Sequence, residues 1–124
     1  MKYMLLLHND ETWWQTASEQ EIQQGMQGYF EYNRALEQAG AYIDGAPLQA
    51  SHATTTISTR DGETITTDGP FAETKEQLGG YYLIECETLD EALEWARRNP
   101  SAQTGHVEVR PLMEMPAGVG EGAA

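Results

Sequence analysis

Residues 68–85 constrain the fold of this chain more than any other stretch. In Asp68-Gly69-Pro70-Phe71-Ala72-Glu73-Thr74-Lys75-Glu76-Gln77-Leu78-Gly79-Gly80-Tyr81-Tyr82-Leu83-Ile84-Glu85 a tight turn, a polar turn and an apolar strand follow one another without slack. Gly69 can take positive φ, while Pro70 fixes its own φ and keeps Gly69 out of the right-handed helical region, so Phe71 is aimed in one direction. Thr74 and Gln77 have the spacing of a capping box for a single helical turn, Gly79 is placed to end that turn in a left-handed conformation, and Tyr81 to Cys86 then reads as a strand. The elbow supports two readings. The favoured one anchors Phe71 in the core, since turn residues mostly serve turns; the other makes it a wall of a site presenting Asp68, Lys75 and backbone amides.

Upstream, Lys2 to His8 is an apolar run of strand length in which Tyr3, Leu5 and Leu7 point opposite to Met4, Leu6 and His8, so both faces read as buried. A polar connection interrupted by Trp13-Trp14 leads to Ser18-Glu19-Gln20-Glu21, a capping box that opens a long helix with the apolar line Ile22, Met26, Tyr29, Phe30, Asn33 and Leu36. Gly40 ends it. Gly25 and Gly28 thin the helix surface, most simply to let another segment pack close. Ala41 to Ala46 reads as a second strand, and Asp61-Gly62 joins two threonine-rich arms, Thr54 to Arg60 and Glu63 to Thr67, into a hairpin. Ile57 and Ile65 fall on opposite faces, so the hairpin carries little core and projects from the body or covers a sheet edge. His52 lies in a polar loop and reads as solvated. After the motif strand, Thr88 opens a second helix whose inner face is Leu89, Ala92, Leu93 and Ala96, Asn99-Pro100 ends it, and His106 to Leu112 is the last strand.

Taken as an insertion, the hairpin leaves strand, helix, strand, strand, helix, strand. That is α+β, a ferredoxin-like βαββαβ sheet with two helices on one face. The sequence offers no third layer for Met4, Leu6 and the His106, Glu108, Arg110 set, so a second copy of the sheet is the economical cover and a homodimer is expected. Residues 1–113 form the domain. Residues 114–124, rich in Gly and Ala, read as a flexible C-terminal tail.

Charge narrows the partners. Seven basic against twenty acidic side chains give a net charge of -13, which repels phosphate backbones and anionic membrane surfaces, so neither nucleic acid nor membrane is an expected partner. The adjacent Arg97 and Arg98 read as helix-surface partners of Glu94. The single cysteine, Cys86, sits in an apolar strand with no second cysteine to pair with, and no signal-peptide or membrane-spanning pattern occurs; a cytoplasmic protein is expected.

The motif Asp68-Gly69-Pro70-Phe71, followed by Ala-Glu-Thr-Lys-Glu-Gln-Leu-Gly-Gly-Tyr-Tyr-Leu-Ile, resembles the signature of DGPF-domain proteins, a branch of the YCII-related family. Met1-Lys2-Tyr3-Met4-Leu5-Leu6-Leu7, Asp61-Gly62, Leu89-Asp90-Glu91-Ala92-Leu93-Glu94-Trp95-Ala96 and Val107-Glu108-Val109-Arg110-Pro111 agree with it, so the resemblance runs from residue 1 to about 113. It implies a dimeric α/β barrel and a setting beside extracytoplasmic-function sigma factors. In the broader family a His on the first helix paired with an Asp is the proposed catalytic pair, and one relative is a dehydrochlorinase of a chlorinated aromatic. This chain has no histidine between Ser18 and Ala39, and Asn99 stands before Pro100 where Asp is implied; the pair is not matched.

No ligand spacing joins the one Cys and three His into a metal site, and no phosphate loop, nucleophile elbow or dinucleotide fingerprint occurs, so no metal and no cofactor are expected. What remains is a cavity on the polar side of the sheet, with His8, Asp68, Phe71, Lys75, His106 and Arg110 as candidate ligand contacts. Phe71 counts chiefly as core behind the cavity, Asp68 and Lys75 are placed at its mouth and Arg110 inside it. A His beside a carboxylate such as Glu108 is able to move a proton, although a cross-strand or intersubunit ion pair is the preferred role for His106, Glu108 and Arg110. Three functions follow: a small-molecule-binding dimer with an accessory or regulatory role, functionally linked to a sigma factor; a cofactor-free enzyme doing acid-base chemistry on a small, aromatic-type compound; or a protein-interaction module using the hairpin and Trp13-Trp14.

Overall fold

A computed structural model describes residues 1–116. Strand β1 (Lys2–Asn9) runs through the middle of a four-stranded sheet, flanked by β5 (Gln77–Glu85) and β6 (His106–Pro111), with β2 (Tyr42–Pro47) on the outer side of β5. The order is β2-β5-β1-β6, and every neighbouring pair is antiparallel. β3 (Thr55–Arg60) and β4 (Glu63–Asp68) form a separate two-stranded sheet. The helices are α1 (Trp13–Thr16), α2 (Glu19–Gln38), α3 (Leu89–Arg98) and α4 (Ser101–Thr104), giving a mixed α+β architecture on an antiparallel sheet.

Local signals account for the two long helices. Ser18 Oγ accepts from the Glu21 amide at 3.1 Å while the Glu21 carboxylate accepts from the Ser18 amide at 3.1 Å, so orphan donors at the start of α2 are met in both directions. Gly40, at φ 70°, ends it. In α3 the Thr88 hydroxyl accepts from Glu91 N, Asp90 and Glu91 lie in the first turn and Arg97 and Arg98 in the last, each sign of charge at the end of the helix dipole that favours it. Arg97 reaches Glu94 through Nε at 2.9 Å. Arg98 instead lies 4.4 Å over the Trp95 ring, so only one of the two arginines pairs with Glu94.

The core sits between the helices and one face of the sheet. Tyr3, Leu5 and Leu7 of β1 and Tyr82 and Ile84 of β5 meet Tyr32 and Leu36 of α2 and Ala92 and Ala96 of α3. The inner face of α3 is narrower than the apolar spacing suggests, since Leu89 and Leu93 are 49% and 46% exposed. Ala92 and Ala96 bring the helix backbone close, and Trp95 covers the side. Met26 and Phe30 of α2 are likewise exposed, so its buried line is Tyr32 and Leu36. Gly25 and Gly28 make room for packing: an added Cβ would lie 3.6 Å from the Trp13 indole and 3.6 Å from the Pro100 ring, respectively. On the opposite face of the sheet Met4, Leu6 and Leu83 are only half-buried, because no element among the described residues covers them.

The motif departs from expectation in two ways. No helical turn forms between Thr74 and Gln77. Thr74 Oγ1 and the Gln77 side chain bond instead to the Glu76 and Thr74 carbonyls, Gly79 has no positive φ, and β5 begins at Gln77, earlier than Tyr81. Phe71 is 92% exposed and belongs to no core. The elbow itself is present, with Gly69 at φ 97°, yet it stands at the foot of the β3–β4 hairpin and leaves Phe71 in solvent. The hairpin turn has both Asp61 (φ 52°) and Gly62 (φ 80°) in the left-handed region, as a two-residue type I′ turn requires. Ile57 pairs with Thr66 and Ser58 with Ile65, so the isoleucines do lie on opposite faces, both more than half exposed. The expected tail over 114–124 lies, from residue 117 on, outside the described residues. Among the described residues no helix is long and apolar enough to cross a membrane.

Two stability measurements test this core. Leu36→Ala, at a fully buried position, is expected to cost about 2 to 5 kcal/mol, while Ile57→Ala on the hairpin should stay within about 0.5 kcal/mol in urea unfolding. Tyr32, 5% exposed and donating to the Trp95 carbonyl at 2.8 Å, has its hydroxyl pushed up to about 12 by burial, which outweighs the opposing Asn99 contact and Arg98 charge. A folded-state value above the unfolded one means stability is complete below pH ~10 and falls as pH rises toward 12. The fall should be on the order of 2 kcal/mol for this group and should shrink in Tyr32→Phe.

Candidate functional site

A cavity of about 1000 Å3 lies at the end of β1, between the motif loop Pro70–Leu78 and the segment Leu48–Thr54, with His8 between them. Each wall is held by identifiable bonds. Glu11, just past β1, accepts from the Ser51 amide at 2.8 Å and the Ser51 hydroxyl at 2.5 Å, and its own amide donates to Gln77 Oε1 at 3.0 Å. Glu11 thus ties the short turn Ser51–Ala53, through its carboxylate, to the start of β5, through its amide, and the charge-assisted bonds to Ser51 are roughly twice as strong as neutral ones. The Leu48 amide donates to the Gly79 carbonyl at 2.8 Å, and the Gly69 amide to Thr54 O at 2.6 Å, closing the two walls onto each other. Thr56 Oγ1 donates back to Gly69 O at 2.7 Å, which fixes the elbow.

Two His–carboxylate contacts stand at this end of the sheet. His8 and His106 are direct partners in the antiparallel β1–β6 ladder, and Leu6 is the partner of Glu108. His8 Nε2 lies 2.5 Å from Glu108 Oε1, a close contact out of line for a hydrogen bond. His106 Nδ1 lies 2.6 Å from Glu76 Oε1, joining β6 to the motif loop. The close approach depends on Gly105: an added Cβ there would sit 1.9 Å from the His8 carbonyl oxygen, so any side chain would push β6 off β1 just where the histidines face each other.

Of the residues expected at a site, His8 and Phe71 line this cavity, and His106 reaches it through Glu76, which lines it. Asp68, Lys75 and Arg110 do not line it. Asp68 closes β4, Lys75 is exposed on the loop, and Arg110 is the partner of Met4 on the open face of the sheet. Among the described residues Arg110 makes no salt bridge, so the expected ion-pair set divides: Glu108 takes His8, and His106 takes Glu76. Reasoning from sequence missed Glu11, Glu76 and the cavity-lining position of His52. Glu76 was readable as a helix residue only, and Glu11 and Ser51 are forty residues apart, a separation that periodicity does not bridge.

Elsewhere the chemistry is quiet. The Cys86 thiol is pushed up by burial and by the neighbouring Glu91, and it donates to the Thr88 carbonyl at 3.5 Å, which suits packing and not nucleophilic attack. Asn99 is fully buried, its side-chain oxygen accepting from the Ser101 amide at 2.8 Å at the start of α4. Among the described residues no three His, Cys, Asp or Glu side chains converge as a group able to hold a metal.

The YCII-related domain matches residues 1–116. An uncharacterised protein of Rhizobium meliloti is 45% identical over 114 residues, covering 90% of this chain and 92% of that protein. Among solved structures, the 5-chloro-2-hydroxyhydroquinone dehydrochlorinase from Burkholderia phenoliruptrix, in complex with 2,5-dihydroxybenzoquinone, superimposes over 93% of this chain and 96% of its own at 15% identity and a TM-score of 0.47. A likeness of that degree carries no argument about this chain.

The cavity geometry makes its own demand on the motif. Because Phe71 stands in solvent on the cavity wall, Phe71→Ala and Lys75→Ala should each leave the unfolding free energy within about 0.5 kcal/mol. Glu11→Ala should cost about 1 to 3 kcal/mol, because it strands the Ser51 donors. Urea denaturation of the three variants checks the ranking.

Proposed function

This chain belongs to the YCII-related family, and we propose that it is a small-molecule-binding protein of the cytoplasm with an accessory or regulatory role, taking its ligand in the His8 cavity. One observation carries the reading: a cavity of about 1000 Å3 brings the motif loop and the Ser51 turn around a histidine that touches a carboxylate. Cavities of that size suit small organic ligands. Its polar groups come from three separate parts of the chain, and each part is tied in place by side-chain bonds, so the wall is preformed. A link to a sigma factor rests on the resemblance alone.

The strand order, the antiparallel pairing throughout and the placing of α2 and α3 in the two crossovers support a ferredoxin-like βαββαβ unit with the β3–β4 hairpin inserted. Its uncovered face, with Met4, Leu6 and Leu83 half-buried, supports pairing with a second copy into an α/β barrel. The same His8–Glu108 contact favours a second reading, a cofactor-free enzyme in which the imidazole accepts a proton from a small substrate and the carboxylate steadies the charge it gains.

Native mass spectrometry tests both parts at once. The expected result is a dimer that retains a small molecule, dimeric but empty in His8→Ala, and monomeric in Leu83→Glu, which places a charge in the middle of the open face. A wild-type monomer at micromolar concentration removes the barrel, and a ligand retained unchanged by His8→Ala removes the site. For the enzyme reading, a substrate found by metabolite screening should lose at least about a hundredfold in kcat in His8→Ala, the usual scale of general acid-base catalysis.

A further inference from the structure

A second cavity, of about 340 Å3, opens between α2 and the β2–β5 edge of the sheet, and it shares no lining residue with the His8 cavity. Its lining contains no Asp, Glu, Lys, Arg or His. In a chain with twenty acidic side chains that is a selective exclusion of charge, and it sets the chemistry. Trp14, Met26 and Phe30 line it while being 49%, 46% and 57% exposed, an apolar cluster that water covers at a cost. At its inner end the Tyr82 hydroxyl donates to Asn33 Oδ1. That bond uses the amide oxygen and leaves the NH2 group of the half-buried Asn33, for which no bond to the described residues is seen, open to the cavity and its water. The floor is backbone. A Cβ on Gly79 would meet nothing closer than 4.0 Å, whereas one on Gly45 or Gly80 would meet its neighbours at 3.0 or 3.1 Å.

We propose that this cavity binds a neutral, flat aromatic molecule of one or two rings whose carbonyl or ether oxygen accepts a hydrogen bond from the Asn33 side chain. Each part of that description has its own cause. Aromatic walls favour offset or edge-on contact with a ring. A charged ligand would be stripped of water with no charged partner in the lining. The volume is at the lower end of the range for ligand cavities, roughly 300 to 1000 Å3, which limits the ring count. An acceptor is needed because the free group at the inner end is a donor. Burial pushes the Tyr82 hydroxyl up, with further push from neighbouring tyrosines, so it stays protonated and keeps Asn33 oriented.

The test uses Prodan, a neutral naphthyl ketone whose emission shifts to the blue in apolar surroundings. Titration of the full-length protein is expected to give saturable binding of one probe per chain with a blue shift, while the anionic anilinonaphthalene sulfonate does not displace it. Asn33→Asp keeps an oxygen for the Tyr82 hydroxyl but removes the donor and adds a charge, and it should weaken Prodan at least about tenfold. Gly79→Phe fills the floor and should do the same, with far-UV circular dichroism unchanged in both. His8→Ala strikes the other cavity and should bind Prodan as the wild type does, which separates this site from the one above. Non-saturable binding, full affinity in Asn33→Asp, efficient displacement by the sulfonate, or loss of binding in His8→Ala would each overturn the proposal. Should Gly79→Phe not fold, Asn33→Asp decides alone.

Discussion

Everything else in the structure hangs on the two-residue period of β1. Its odd positions, Tyr3, Leu5 and Leu7, are committed to the helix layer and are at most 5% exposed. Its even positions, Met4, Leu6 and His8, are thereby committed to the other face, which the described residues leave open. A slip of one residue would exchange the two sets, placing an imidazole in the helix-facing core and three core side chains on the open face. Register is therefore enforced by the hydrophobic effect along the whole strand, and the location of His8 at the end of the open face is a by-product of core packing. The site inherits its precision from the core without using a core residue.

The same constraint explains why the two cavities differ in chemistry. One lies at the end of the sheet, where strands give way to loops and the backbone must find side-chain partners; polar anchors such as Glu11 and Glu76 collect there because they satisfy those groups. The other lies along the helix-facing side, where the core residues Leu7 and Tyr82 and exposed neighbours such as Met26 and Phe30 supply the lining. Met26 and Phe30 project beyond the packed part of α2, and the gap beneath them is apolar for the reason the core is apolar. Polar and apolar sites in one small domain need no separate design.

Much of this was legible in the sequence, and the failures share a physical cause. The Ser18-Glu21 capping box, Gly40, the Asp61-Gly62 turn and the alternation of β1 are local signals of a few residues, and they read correctly, whereas the same spacing at Thr74 and Gln77 formed no helical turn. Phe71 did not. Its aim is set by the elbow, but whether that aim meets the core or solvent depends on where the hairpin stands, a non-local fact. Lys75 and Asp68 failed for the same reason, since adjacency in a motif is not adjacency at a cavity. His8 was legible because a strand's period fixes its face, while its contact with Glu108 required knowing the β1–β6 register.

That register turns on one glycine. His8 and His106 face each other across β1 and β6, and the β6 backbone approaches so closely at Gly105 that a methyl group would lie 1.9 Å from the His8 carbonyl. Atoms do not approach that far, so any other residue there must displace the start of β6, and His106 lies one residue on. Displacing His106 would release Glu76, and with it the only side-chain bond between the described part of the motif loop and β6. A position with no side chain thus controls the cavity wall: the motif loop is held to the sheet through the His106–Glu76 pair, that pair is held through the β1–β6 approach, and the approach exists because residue 105 has no Cβ.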